Sequence, residues 1–139
     1  MSFEEKGNWL YAVIIVVLSA LYFATIIGQF PVTAVTEINY QWQLLITIGA
    51  AIVLAIVGMI VIGILSPKDA GKADQRDKEI SRFGEFVGGT VLAIGMIVPF
   101  GLAMAEVPHF WIANTMYLAF VAAAICGTAV KLVAYRRGF

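Results

Sequence analysis

The residues of this chain that could carry acid–base, nucleophilic or metal chemistry are few and far apart. His109 is the single histidine and Cys126 the single cysteine. Glu106 stands three residues before His109, and an E-x-x-H pair on one helix face would offer two ligands to a metal. Pro108 interrupts that pair and no further Cys or His completes a set, so a turn is expected there, with His109 beside Trp111 at the start of an apolar run. His109 and Cys126 lie 17 positions apart in sequence, roughly 25 Å along a helix, so neither a Ser/His/Asp nor a Cys/His arrangement can be built. The run G-E-F-V-G-G at residues 84–89 lacks the lysine and the strand-to-helix setting of a phosphate loop. These residues describe a protein that is not an enzyme, with no catalytic residue, no cofactor and no metal site.

Charge is placed very unevenly. Residues 66–85, S-P-K-D-A-G-K-A-D-Q-R-D-K-E-I-S-R-F-G-E, hold five of the nine Lys and Arg residues and five of the nine Asp and Glu residues. Elsewhere the chain is almost wholly apolar: 61% of its 139 residues are hydrophobic and 13% charged, against roughly 25% charged in soluble domains. A soluble domain of this size could not hide so much apolar side chain, whereas a bilayer removes the conflict. The formal net charge of zero argues against a nucleic-acid partner, which requires a basic surface.

The elements that must position these residues follow from the apolar runs. Apolar stretches at about 9–28, 42–65, 84–104 and 111–133, charged only at Glu85 and Lys131 near their ends, are each long enough to cross a hydrocarbon core of roughly 30 Å. The first is longer than the apolar core of a cleaved leader and follows an acidic as well as basic start, so it is read as a span. Four spans with short connections predict one all-α membrane domain over residues 1–139, two antiparallel hairpins in a compact bundle, with residues 66–83 as an elbow. Lys6, the five basic residues of the elbow, and Lys131, Arg136 and Arg137 all fall on one side, and the loops at 29–41 and 105–110 contain no Lys or Arg. The bias of basic residues toward the cytoplasm places both termini there.

The elbow divides in two. Pro67 ends the second span and Gly71 suits an irregular stretch, while residues 74–85 carry charges at helical spacing: Asp74 with Lys78, Arg76 with Glu79, Glu79 with Arg82. Asp74 is the expected N-cap, and Ile80, Phe83 and Val87 form an apolar stripe running into the third span, which Pro99 should kink. The third helix is thus expected to extend into the cytoplasm. Three groups of candidate site residues result. Arg76, Asp77, Glu79 and Arg82 are displayed for a cytosolic or membrane protein partner. Gly84 and Gly88 make a small-x-x-x-small packing face. Glu85 and Lys131 sit near the membrane edge, where pairing relieves the cost of burying charge. Ser19, Tyr22, Thr25, Thr47, Thr90, Asn114, Tyr117 and Thr128 can bond across helices or line a narrow pore.

The run Asp74-Gln75-Arg76-Asp77-Lys78-Glu79-Ile80, followed by Arg82-Phe83-Gly84-Glu85 and an apolar span, resembles the D-x-R-D-x-x-I signature of uncharacterised small bacterial four-span membrane proteins, many of them actinobacterial. The opening M-S-F-E-E-K, H-F-W-I-A-N at 109–114 and K-L-V-A-Y-R-R-G-F at 131–139 fit the same group. The resemblance implies a bacterial plasma-membrane protein and carries over no catalytic residue. Two functional classes fit the residues. One is an interaction or regulatory module working through the charged helix. The other is a homo-oligomer whose small and uncharged polar side chains line a channel or transport path.

Overall fold

The computed structural model describes residues 1–68 and 70–138, so Asp69 of the elbow and the terminal Phe139 lie outside the described residues. It is all-helical: α1 (Phe3–Gln29), α2 (Tyr40–Leu65), α3 (Gln75–Gly95), α4 (Ile97–Met104) and α5 (His109–Arg137), with a 3-10 turn at Val35–Glu37. Four helical stretches are long and apolar enough to cross a membrane, the third being α3 and α4 together over Gln75–Met104.

Both ends of the first span exceed the apolar run. The Ser2 hydroxyl accepts from the Glu5 amide at 3.1 Å, and Glu4 and Glu5 occupy a first turn whose exposed amides favour negative charge. The polar residues before Trp9 are therefore helical. Asp74 caps α3 as expected: its carboxylate accepts from the Asp77 amide at 2.7 Å, and Asp77 returns the bond by accepting from the Asp74 amide at 3.2 Å. The Asp74–Lys78, Arg76–Glu79 and Glu79–Arg82 ion pairs are not formed among the described residues, where Glu85–Lys131 is the salt bridge present. Glu79 instead accepts from the Gln75 side-chain amide at 2.9 Å.

The third span breaks at Met96. Pro99 has no amide to give the Gly95 carbonyl, and its ring crowds that oxygen, so the ladder is interrupted a turn before the proline. The Met96 amide still reaches the Leu92 carbonyl at 2.9 Å, and helix resumes with the Phe100 amide on the Met96 carbonyl at 3.1 Å.

Between α4 and α5 the chain turns through Glu106, whose φ of 54° is the single positive value among the described non-glycine residues. Its amide bonds to the Ala103 carbonyl at 3.1 Å and the Val107 amide to that of Leu102 at 3.3 Å, with Pro108 next. This is a Schellman ending, a position that normally selects glycine. Glu106→Gly is expected to stabilise the fold by about 0.5–1 kcal/mol by relieving the left-handed strain. The midpoint of unfolding in detergent should rise, and an unchanged or lower midpoint refutes the assignment.

α5 is the centre of the assembly. It carries eight of the buried residues, Phe110, Asn114, Ala119, Val121, Ala123, Gly127, Thr128 and Ala134, and packs against α1, α3 and α4. The helices lie in the order α2, α1, α5 and then α3 with α4. No residue of α2 is buried, and its substantial contact is with α1. α2 is thus peripheral in the bundle. Along α1 and α2 the pairs Lys6 with Ser66, Leu10 with Gly58 and Thr25 with Gln43 rise in one helix as they fall in the other. Gly84 meets Lys131 and Gly95 meets Ala119 in the same sense along α3 and α5.

Candidate functional site

Asp77 ties three helices together at the charged end. Its Oδ1 accepts from the Tyr135 hydroxyl at 2.8 Å and from Ser2 Oγ at 3.4 Å, while Oδ2 holds the Asp74 amide. Ser2 begins α1, Asp77 stands in the first turn of α3 and Tyr135 in the last turns of α5. Asp77 is 7% exposed, so it is not on display as the charge spacing suggested. A buried carboxylate needs hydrogen-bond donors, and these three groups supply them.

Arg76 is exposed, yet it also reaches back to α5. Its guanidinium donates to the Tyr135 carbonyl at 3.3 Å and, more weakly, to the Ala134 carbonyl at 3.5 Å, which also accepts from the Gly138 amide, so positive charge is held at the negative end of α5. Ile80 is 1% exposed. The run D-x-R-D-x-x-I is therefore a fastening: Asp74 caps, Arg76 reaches the end of α5, Asp77 joins three helices and Ile80 is buried. Glu79 and Arg82 remain exposed, as do Lys78 and Phe83, so the expected stripe of Ile80, Phe83 and Val87 is buried only at its first member. Lys6 donates to Ser66 Oγ at 2.8 Å, and the Arg136 guanidinium sits 5.2 Å above the Trp9 ring.

The α3–α5 crossing is built from small residues on both helices. A Cβ at Gly84 would run into the stem of Lys131 and lie 2.8 Å from the Gly127 carbonyl; one at Gly88 would lie 3.1 Å from the Ala123 carbonyl. A Cβ at Gly127 would meet the Gly84 carbonyl at 2.8 Å and the Gly88 Cα at 3.4 Å. Gly84 and Gly88 thus serve the packing foreseen for them, against a stripe of Ala119, Ala123 and Gly127 that sequence reading missed. The spacing of four between those α5 residues was its visible signal.

Glu85 and Lys131 face each other across this crossing with Nζ and Oε1 3.9 Å apart. Ser81 bridges them, donating to Glu85 at 3.0 Å and accepting from Lys131 at 3.5 Å. The Glu85 side chain is 70% exposed, so this is a loose pair in which water screens much of the attraction.

At the opposite end Tyr22, Ile26, Ile38 and Phe110 form a buried cluster against which Phe23, Val35, Tyr40, Leu44 and Tyr117 pack. The loop after α1 is thereby folded in, with Ile38 3% exposed. The Tyr22 hydroxyl donates to Asn114 Oδ1 at 2.7 Å, and the Asn114 amide donates to the Phe110 carbonyl at 2.8 Å. Tyr22→Phe is expected to cost about 0.5–1.5 kcal/mol by leaving Asn114 without its donor. Thermal unfolding in detergent reads the loss, and an unchanged midpoint refutes a stabilising bond. Ser19, Thr25, Thr47 and Thr90 each bond a carbonyl of their own helix. Glu106 lies in the turn and His109 begins α5, so the two share no helix.

Comparison with protein-family models, curated proteins and solved structures finds no match to this chain.

Proposed function

We propose that the protein is a multi-pass module of a bacterial plasma membrane, both termini in the cytoplasm, that presents the outer face of the first turns of α3 to a protein partner. The observation that carries this reading is the anchoring of those turns at Asp77. A charged helix fixed to α1 and α5 holds Lys78, Glu79 and Arg82 in one orientation before any partner arrives, which lowers the entropic cost of recognition. Orientation is supported by Lys6, Lys131, Arg136 and Arg137 gathering at the same end as the basic residues of the elbow. Membership of the four-span group rests on the D-x-R-D-x-x-I run, and the fastening role of its residues gives that run a physical reason.

The test leaves the fastening intact. A stoichiometric partner that co-purifies in mild detergent with the native protein should be lost from the double variant Glu79→Arg, Arg82→Glu, whose melting point stays unchanged. Retention by the folded double variant, or no partner in either preparation, counts against the reading.

A second reading, copies assembled into a small channel or transporter, is favoured by α2. None of its residues is buried, and Gly49 has open space around it for another helix. Ion or solute flux in liposomes, together with the number of chains per particle, decides it; a monomer without flux removes it.

A further inference from the structure

A cleft of about 270 Å³ opens between α1, α3 and α5 beside the glycine crossing, lined by Tyr11, Gly88, Gly89, Glu85, Thr128 and Lys131 among others. Its floor is low at Gly89, where an added Cβ would meet nothing within 4 Å. Thr128 distinguishes it from a mere seam of small residues. Within the α-helices Thr25, Thr47, Thr90 and Thr115 each turn the hydroxyl back to a carbonyl three or four residues earlier, the usual way a helical threonine satisfies itself in an apolar medium. Thr128, on the wall of the cleft and only 6% exposed, makes no hydrogen bond among the described residues. Its hydroxyl is not sealed away either, so it opens on the cleft.

Lys131 adds charge to the same wall. Its side chain is 18% exposed, and its two polar neighbours, Glu85 at 3.9 Å and Ser81 at 3.5 Å, are both distant. An ammonium has three donors, and these contacts use them poorly. The Tyr11 phenol, on a residue 42% exposed, lines the cleft from α1. Two hydroxyls and an ammonium near the polar end of the trough, with the mostly exposed Glu85 carboxylate at its edge, match the phosphate and glycerol of a lipid whose chains stay in the bilayer. Basic pockets between spans at the cytoplasmic side take anionic headgroups in this way. The volume lies just below the range of small-molecule sites, roughly 300–1,000 Å³, enough for a headgroup region and not for a whole lipid.

We propose that this cleft is a binding site for one anionic phospholipid, its phosphate held by Lys131 with Thr128 and Tyr11, and its upper methylenes laid over Gly88 and Gly89. Glu85 competes for Lys131 and swings toward water, where most of its side chain already lies, when the lipid enters.

The full-length protein in neutral detergent, titrated with phosphatidylglycerol or with phosphatidylcholine of the same chains, tests this by native mass spectrometry. One phosphatidylglycerol per chain should be retained, about tenfold more tightly than phosphatidylcholine. Thr128→Val and Lys131→Gln should each weaken retention several-fold, and Glu85→Gln should strengthen it. Gly89→Leu guards against misfolding as an explanation. A Cβ at Gly89 meets nothing within 4 Å, so this variant should fold and melt like the native protein while its side chain fills the trough and removes the lipid. A folded Gly89→Leu that keeps the lipid, equal retention of the two lipids, or displacement by millimolar inorganic phosphate would each overturn the proposal, the last by reassigning the site to free phosphate. Glu79 and Arg82 are untouched in all four variants, so the outcome is separate from that of the partner experiment.

Discussion

Asp77→Ala is expected to cost about 3 kcal/mol or more and to loosen the charged end of the molecule as a unit. The carboxylate is buried and receives three hydrogen bonds, from Tyr135, Ser2 and the Asp74 amide. Hydrogen bonds to a charged group contribute about 1.5–3 kcal/mol each in favourable settings, and the 3.4 Å bond from Ser2 is the weakest of the set. Alanine removes the acceptor and leaves the Tyr135 hydroxyl without a partner, which adds a desolvation cost. It also opens the capping box, although the Asp74 side chain can still hold the amide at position 77. Hydrogen exchange should therefore accelerate over residues 2–6, 75–80 and 134–137 together, while the aromatic cluster around Tyr22 and Phe110 stays protected. Glu79→Ala, on the exposed side of the same helix, should be nearly neutral. Equal effects of the two substitutions, or fast exchange confined to α3, would contradict the three-helix tie.

Gly127→Val should be the most damaging single change in the membrane-spanning part, costing about 3 kcal/mol, the upper part of the range for overpacking. Its Cβ would stand 2.8 Å from the Gly84 carbonyl and 3.4 Å from the Gly88 Cα. Both obstacles are backbone, so no rotamer change relieves them and α3 must move away from α5. The Lys131 stem that rests on Gly84 would lose its seat in the same displacement. Gly89→Ala supplies the contrast: with open space around it, it should be neutral or stabilise by up to about 1 kcal/mol through helix propensity. Resistance to unfolding in a denaturing detergent should fall sharply for the first and hold for the second. A Gly127→Val protein as resistant as the native one would mean that the two helices do not cross this closely.

The four spans were legible because an apolar run of twenty or more residues has one inexpensive solvent. The start of α3 was legible from Asp74 followed by charged residues at helical spacing. What the spacing did not reveal is which way those residues face. Asp77 and Glu79 are similar in chemistry and two positions apart, yet one is buried and the other exposed, because Ser2 and Tyr135 approach from segments 75 and 58 residues away in the chain. Local periodicity carries no trace of such partners. The Gly84 and Gly88 face was readable from one helix, and its complement on α5 from a second spacing of four that went unused. The peripheral place of α2 was not readable at all: in lipid an outward apolar face and an inward one look alike in composition, since the medium is as apolar as the protein interior.

The break at Met96 sets how far a disturbance at the charged end can travel. α3 is one continuous rod from Gln75 to Gly95, while α4 is a separate eight-residue rod with its own seat on α5. With Pro99 removing the link from its amide to the Gly95 carbonyl, tilting the first turns of α3 would rotate that rod about its glycine contacts with α5. The torque would be dissipated at Met96, sparing the turn at Glu106. The third span is thereby two rods in series, each with its own seat on α5, joined at Met96 where one rung of the ladder is missing.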